Sequence, residues 1–412
     1  MRRRILAAVR RAPMERGCRW QACRGPWTYF DKLRPVAALL ISFFVSVLVT
    51  AWLVRASALE GHFSLDHDLS GPQKFHAHPV PRIGGVGIVL GLVFVLLWLV
   101  WREPTTATLF GWLLLCAVPA LGAGLIEDLT KRVSPGKRLL ATALAAALAF
   151  WLMGAGITRT DIPGLDQIVA FSAGALIVTV VAVAGIANSV NIIDGFNGLA
   201  SMCVVIMLTA LAYVAFQVGD VQVGTLALAG IGAVLGFFLW NFPGGMIFLG
   251  DGGAYLLGFY VAEVSILLLV RNPTISPLFP LLVCVYPVVE TLFSIYRRRF
   301  LRATPPSMPD GIHLHSLIYR RVLRWAVGAR SAKALTRRNS MTSPFLWAMC
   351  MASAAPAVLF WDNSLLIAGS LAVFAIGYVI LYWRIVRFRS PRWLHTLATR
   401  PLPLRRRDNA GT

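Results

Sequence analysis

The chain has 412 residues, of which 57% are hydrophobic and 14% charged; its net charge is +21 and its mean hydropathy +0.69. So little charge over that length excludes an ordinary soluble domain. The surplus of Lys and Arg then reads as the charge bias of membrane loops and contact with anionic lipid, not as a nucleic-acid surface.

Apolar runs near the length that crosses a hydrocarbon core predict an all-α polytopic membrane protein. About eleven transmembrane helices are expected: 36–54, 83–101, 108–126, 139–157, 169–187, 198–217, 223–241, 253–270, 276–294, 344–361 and 365–383. They form one transmembrane domain, 36–383, between a basic N-terminal segment, 1–35, and a basic C-terminal tail, 384–412.

Alternation of these spans gathers the segments 55–82, 127–138, 188–197, 242–252 and 295–343, with the tail, on one face. The five loops hold 18 Lys and Arg and the tail 8, against 3 on the other face, Arg102, Arg159 and Arg271. The loaded face is therefore expected to be cytoplasmic, as in a bacterial inner membrane. The segment before Val36 pulls the other way: it carries 10 Lys and Arg, yet an odd number of spans puts it on the opposite side. Four of the six cysteines, Cys116, Cys203, Cys284 and Cys350, lie in apolar spans and read as small packing residues. Cys18 and Cys23 match no strong metal-binding spacing.

Taken in chain order, polar residues recur at the ends of these spans on the loaded face. Glu127 and Asp128 close the third span in GLIEDLTKRVSPGKR; Asn188, Asn191, Asp194 and Asn197 lie in NSVNIIDGFNGLA; Asn241, Phe248 and Asp251 lie in WNFPGGMIFLGDGGAYLLGF. Each has an ordinary reading. Asp-Gly steps make turns, Asp251 can cap a helix, and paired glycines such as Gly84-Gly85 can serve helix packing. For Glu127 and Asp128 the capping reading is weaker, because acids at a helix C-terminus oppose its dipole. Together the set says more. Carboxylate and amide oxygens are hard ligands that suit Mg²⁺. Lys74, Arg82, Lys137 and Arg138 suit phosphate, and glycine-rich turns let backbone N–H groups approach it. His313 and His315, an H-x-H pair in the Arg-rich 295–343 loop, have little reason to be buried core. Glu263 and Glu290 fall inside apolar spans, where an acid is a functional suspect.

The segments KFHAHPVPRIGG, GLIEDL, NSVNIIDGFNGLA, FLGDGGAYLLGF and the HLH of DGIHLHSLIYRR follow one another in a recognisable order. The chain resembles the polyprenyl-phosphate N-acetylhexosamine-1-phosphate transferases of glycosyltransferase family 4, from about Lys74 to Arg321. That family includes undecaprenyl-phosphate GlcNAc-1-phosphate transferases and the phospho-MurNAc-pentapeptide translocase. The resemblance implies that a polyprenyl phosphate attacks the β-phosphate of a UDP-sugar, yielding a polyprenyl-diphosphate sugar and UMP. It implies a bound Mg²⁺, with Mn²⁺ as the alternative, held by Asp251 with Asn191 close to it. It implies uracil stacking on Phe248; donor binding by Asn241, Asp194 and Asn197; phosphate contacts from Lys74, Lys137, His313 and His315; and Glu127 and Asp128 as the family's acidic pair. A homodimer is a further expectation.

Three positions depart from the family pattern. Glu127 replaces an Asp, Asn197 stands where many members have Asp, and Ser316 stands where many have a third His. The first two keep oxygen ligands; the last removes a donor and bears on which sugar is accepted. UDP-GlcNAc heads the list of donors, a modified UDP-N-acetylhexosamine comes next, and the pentapeptide-bearing donor follows. The expected setting is the start of a cell-envelope polysaccharide, such as an O-antigen or exopolysaccharide. Asp128 is expected to position and to act electrostatically rather than to abstract a proton. A phosphate monoester has its second pKa at about 6, so the lipid phosphate is already mostly a dianion. A transporter is the main rival, but transporters place acids at mid-membrane within repeated halves. A lipid-binding scaffold would not need the Asn, Asp and His set.

Overall fold

The computed structural model describes residues 29–60, 80–301, 312–323 and 332–387. Lys74, most of the two basic termini and parts of the 295–343 loop lie outside the described residues. The long helices are α1 (Tyr29–Glu60), α2 (Gly84–Arg102), α3 (Pro104–Thr130) and α4 (Pro135–Met153). A short α5 (Leu165–Val169) precedes α6 (Ser172–Ile193), α7 (Leu199–Gln217), α8 (Val221–Asn241) and α9 (Gly250–Arg271). Then come the short α10 (Phe279–Val283), α11 (Val285–Tyr296) and α12 (Leu314–Leu317), followed by the long α13 (Ala332–Leu359) and α14 (Ser364–Val386).

Among the described residues, ten helices are long and apolar enough to cross a membrane. The span expected at 276–294 is instead broken between α10 and α11. Pro287 explains the break: it has no N–H to give to Val283, and its ring crowds that carbonyl, so α10 ends there while α11 carries the proline in its first turn. The broken pair still traverses the bundle. At its start, Ser276 N donates to Trp361 O at 3.0 Å, in the turn between α13 and α14. At its end, Glu290 meets His313, on the opposite side. The alternation expected from sequence is thus kept. Arg34 pairs with Glu103 at 3.2 Å, so α1 enters on the side of the α2–α3 turn, as an odd number of passes requires. On that same side Arg271 grips Asp220, the cap of α8, at 2.7 Å.

Packing has two themes. Small residues let helices touch where lipid offers no hydrophobic push. Gly232 and Gly236 of α8 lie against the backbone of Leu39 and Phe43 of α1. Near the other end, α9 sits in the middle of the bundle, almost wholly buried, between α2, α3, α6, α7 and α8. A Cβ on Gly85 of α2 would lie 2.6 Å from Gly253, and one on Gly124 of α3 would lie 2.5 Å from Gly252. Gly124→Ala should therefore push α3 off α9, at a cost of about 1–3 kcal/mol. Gly122→Ala, where nothing lies within 4 Å, should be silent. Thermal unfolding in detergent reads both; equal melting temperatures for the two variants would contradict this packing.

Candidate active site

Helices outrun the apolar stretches that announce them, because backbone N–H and C=O groups inside a membrane must find partners within the chain. As a result the expected loop residues stand on helix ends. Glu127 and Asp128 occupy the last turn of α3, Asn191 the last turn of α6, and Asp251 the first turn of α9. These ends converge on a cavity of about 440 Å³, open on one side of the bundle.

Asp128 answers the dipole objection by serving another helix. Its Oδ1 accepts from Asp251 N at 2.9 Å and its Oδ2 from Gly252 N at 2.8 Å. A buried carboxylate of α3 thereby caps the positive end of α9. Gly250, with φ +77°, makes the turn that aims those amides at it. Glu127 reaches the cavity rim, and its Oε2 accepts from Val133 N at 2.7 Å, closing the α3–α4 turn.

Asp251 faces the cavity with its carboxylate held between helices. Asn191 Nδ2 donates to Oδ1 at 2.7 Å, Arg138 pairs with Oδ2, and Arg82 Nη2 stands 3.9 Å from Oδ1. Arg138 comes from the first turn of α4. Its neighbour Lys137 is exposed and does not line the cavity, so of this pair the structure turns the arginine inward. An N-terminal helical turn points adjacent side chains about 100° apart, and only one can face the site.

The NSVNIIDGFNGLA segment folds as a helix end and a tight turn pinned from two sides. Asn241 Oδ1 accepts from Gly198 N at 2.6 Å, and its Nδ2 donates to Ile247 O at 2.7 Å. From α13, Asn339 Oδ1 accepts from Asn197 N at 2.8 Å, Ser343 Oγ donates to Asn197 O at 2.6 Å, and Trp347 Nε1 donates to Gly198 O at 3.0 Å. Asn197 and Asn241 both reach the cavity, but much of their bonding holds the turn in shape. Asn339 also lines the cavity and was not singled out from sequence. The signal lies in Asn339, Ser343 and Trp347, spaced every four residues and so on one face of the helix.

Asp194 lines the cavity just past the end of α6. Burial pushes its carboxyl up to about 7; Arg82 opposes this, while Asp251 and Asp128 add to it. A carboxyl that holds its proton more tightly when folded than at the ordinary value of about 3.9 favours the folded state at low pH. That contribution fades as pH rises from about 4 towards 7. Without added divalent cation, wild type should therefore lose melting temperature relative to Asp194→Asn between pH 5 and 8. Parallel curves would remove Asp194 from this role.

Phe248 lines the cavity and is half-buried, tied by its backbone to Pro81 O at 2.8 Å and to Gly84 N at 3.0 Å. His313 and His315 also line it, with rings stacked at 5.1 Å. Both are buried, contrary to the exposed-loop expectation, because the 312–323 segment folds back beneath the cavity. Ser316 lies beside them, wholly buried and also lining the cavity. Glu263 does not reach this place. It is buried farther along α9, and neither carboxylate oxygen has a hydrogen-bond partner among the described residues.

The donor set suits one kind of metal site. Among the described residues no group of three His, Cys, Asp or Glu is arranged to enclose an ion. Mg²⁺ needs no such cage: it commonly takes one or two carboxylates and completes its shell with water and substrate phosphate. Asp251, with Asn191 hydrogen-bonded to it at the cavity wall, meets that minimum. Beside it, Arg82, Arg138 and the two histidines supply donors for an anionic partner. All the acids of this cavity gather at one end of the bundle, which leaves the transporter reading without support.

Comparison with known proteins agrees with this arrangement. Residues 110–269 match the profile of the family described as Glycosyl transferase family 4. The chain is 30% identical over 286 residues, 69% of its length and 76% of the relative's, to a Bacillus subtilis (strain 168) protein named as a probable undecaprenyl-phosphate N-acetylglucosaminyl 1-phosphate transferase. It is 28% identical over 386 residues, 84% of its length and 87% of the relative's, to the decaprenyl-phosphate N-acetylglucosaminephosphotransferase of Mycolicibacterium smegmatis. A phospho-N-acetylmuramoyl-pentapeptide-transferase of Clostridium botulinum (strain Alaska E43 / Type E3) is 30% identical over 280 residues, 65% of this chain and 83% of its own.

Proposed function

Because this chain belongs to glycosyl transferase family 4, we propose that it is a polyprenyl-phosphate N-acetylhexosamine-1-phosphate transferase using UDP-GlcNAc as donor and undecaprenyl phosphate as acceptor. The observation that carries the reading is the setting of Asp251. Its carboxylate is fixed at the mouth of α9, among arginines and histidines, in a cavity large enough for a nucleotide sugar.

In the transfer, an oxygen of the lipid phosphate attacks the β-phosphorus of the donor. The bond from that phosphorus to the bridging oxygen breaks, and UMP leaves with that oxygen. Two anions must meet, so charge neutralisation is the main task. Asp251 and Asn191 would hold Mg²⁺, or Mn²⁺ in its place; the ion supplies neutralisation of charge on the diphosphate and on departing UMP. Arg138, Arg82, His313 and His315 would take up phosphate oxygens. Phe248 would stack on uracil, with Asp194, Asn197 and Asn241 shaping the donor pocket. Lys74 and Lys137 remain proposed phosphate contacts. Glu127 and Asp128 act by placing the turn of α4 and the start of α9.

The charge bias supports a cytoplasmic active site in a bacterial inner membrane, and the product would start a cell-envelope polysaccharide. Ser316, in place of a third histidine, supports UDP-GlcNAc over the pentapeptide-bearing donor. The test is UMP release by membranes holding the chain, with undecaprenyl phosphate, Mg²⁺ and a panel of UDP-GlcNAc, modified UDP-N-acetylhexosamines and UDP-MurNAc-pentapeptide. UDP-GlcNAc should turn over fastest. No UMP from any donor would sink the enzyme reading, and a faster pentapeptide donor would overturn the choice of substrate.

A further inference from the structure

Glu290 lies on α11, below the cavity and 1% exposed. A carboxylate buried that deeply is costly unless it is fully partnered. Here three donors from two other segments close on it. Its Oε1 accepts from Leu314 N at 3.0 Å and stands 3.0 Å from His313 Nδ1; its Oε2 accepts from the Tyr378 hydroxyl of α14 at 2.9 Å. The tyrosine stops the carboxylate from turning, and the Leu314 amide fixes its height against the histidine segment. His315 stacks on the far side of the His313 ring, with an interplanar angle of 19°. The His313 ring is thus held at one nitrogen and on one face, while it forms part of the cavity wall.

We propose that Glu290 is a positioning residue for the transfer: it accepts from His313 Nδ1–H and so turns the Nε2 edge of the ring to the cavity, where it can donate to the donor's diphosphate once the ring carries both protons. A carboxylate that binds one ring nitrogen selects the tautomer and aims the other. A purely structural role would be met by any group that fills the space and satisfies Leu314 and Tyr378. A positioning role requires an acceptor at Nδ1 in addition. The choice of diphosphate as the partner of Nε2 rests on the transferase reading; the choice of tautomer does not.

The experiment therefore has two arms. In the first, the full chain in nanodiscs carries ¹⁵N-labelled histidine, and the His313 signal is assigned by its loss in His313→Gln. Wild type should show a ring protonated at Nδ1, and Glu290→Ala should shift the signal towards protonation at Nε2. A wild-type ring protonated only at Nε2 would overturn the proposal, whatever the turnover. In the second arm, kcat for UMP release is measured in a double-mutant cycle. Glu290→Ala alone should lower kcat about 10- to 100-fold, the scale of losing a group that orients a functional histidine, with KM little changed. In the His313→Gln background the same change should have almost no further effect, because residues that act as a unit are non-additive. Losses that multiply would make Glu290 merely structural. Tyr378→Phe and Glu290→Gln guard against misfolding: both keep an acceptor at Nδ1 and should change kcat by less than Glu290→Ala. If wild type releases no UMP, the function fails while the first arm still decides the tautomer.

Discussion

Asp251→Ala is expected to lower kcat for UMP release by roughly 10³-fold or more, the scale of losing a key electrostatic contact to a transition state. The variant should still fold. The start of α9 is held by Asp128 through backbone amides, which do not depend on the side chain at 251. Its loss removes the carboxylate on which Asn191, Arg138 and Arg82 converge. Asp251→Asn should be nearly as inactive, because it keeps the shape but not the charge. Both should bind Mg²⁺ more weakly, measured by the Mg²⁺ concentration for half-maximal rate where activity survives. Full activity in either would remove the metal assignment.

Asp128→Asn should have the second-largest effect, and by a different route. An amide side chain has one acceptor oxygen for the two backbone N–H groups that Asp128 now satisfies. One buried donor is left unpaired, at a cost of about 1–3 kcal/mol, and the first turn of α9 loosens with Asp251 on it. We expect a lower melting temperature and a drop of about 10- to 100-fold in kcat, on the scale of second-shell loss. The loss should be the same from pH 6 to pH 9. Asp128 is buried and is not part of the cavity lining, so it does not face a lipid phosphate, which in any case is mostly dianionic above about pH 6. Recovery of the rate at high pH would restore a base role to Asp128.

Much of this site is legible in the sequence, for an identifiable reason. In a membrane a polar residue is conspicuous, so Asp194, Asn197, Asn241 and Asp251 stand out against their apolar neighbours, and all of them reach the cavity. What stays hidden is partnership. Nothing around Asp128 says that its partners are the amides of residues 251 and 252, because that contact is made only when α3 and α9 pack glycine to glycine. On paper the phosphate contact falls to Lys137, with Arg138 only a basic neighbour, and a helical rotation turns Arg138 into the cavity instead. Glu290 shows as an acid in an apolar run, yet its meaning needs His313 and Tyr378, which arrive from elsewhere in the chain. The break before α11 did leave a mark, Pro287, but α3 and α13 carry prolines without breaking, so the residue alone does not announce it.

The capping of α9 by a neighbouring helix has a consequence for motion. The first turn of a helix ordinarily frays, since its amides have no partners within the helix. Here two of those amides are stapled to a buried carboxylate on α3, in the middle of the bundle. The place where chemistry needs the greatest stillness is thus moved from the loosest part of a helix to one of its tightest. Whatever must yield as substrates enter and leave will be sought at the rim, where Glu127 and Arg138 meet the cavity, while the floor that carries Asp251 stays put.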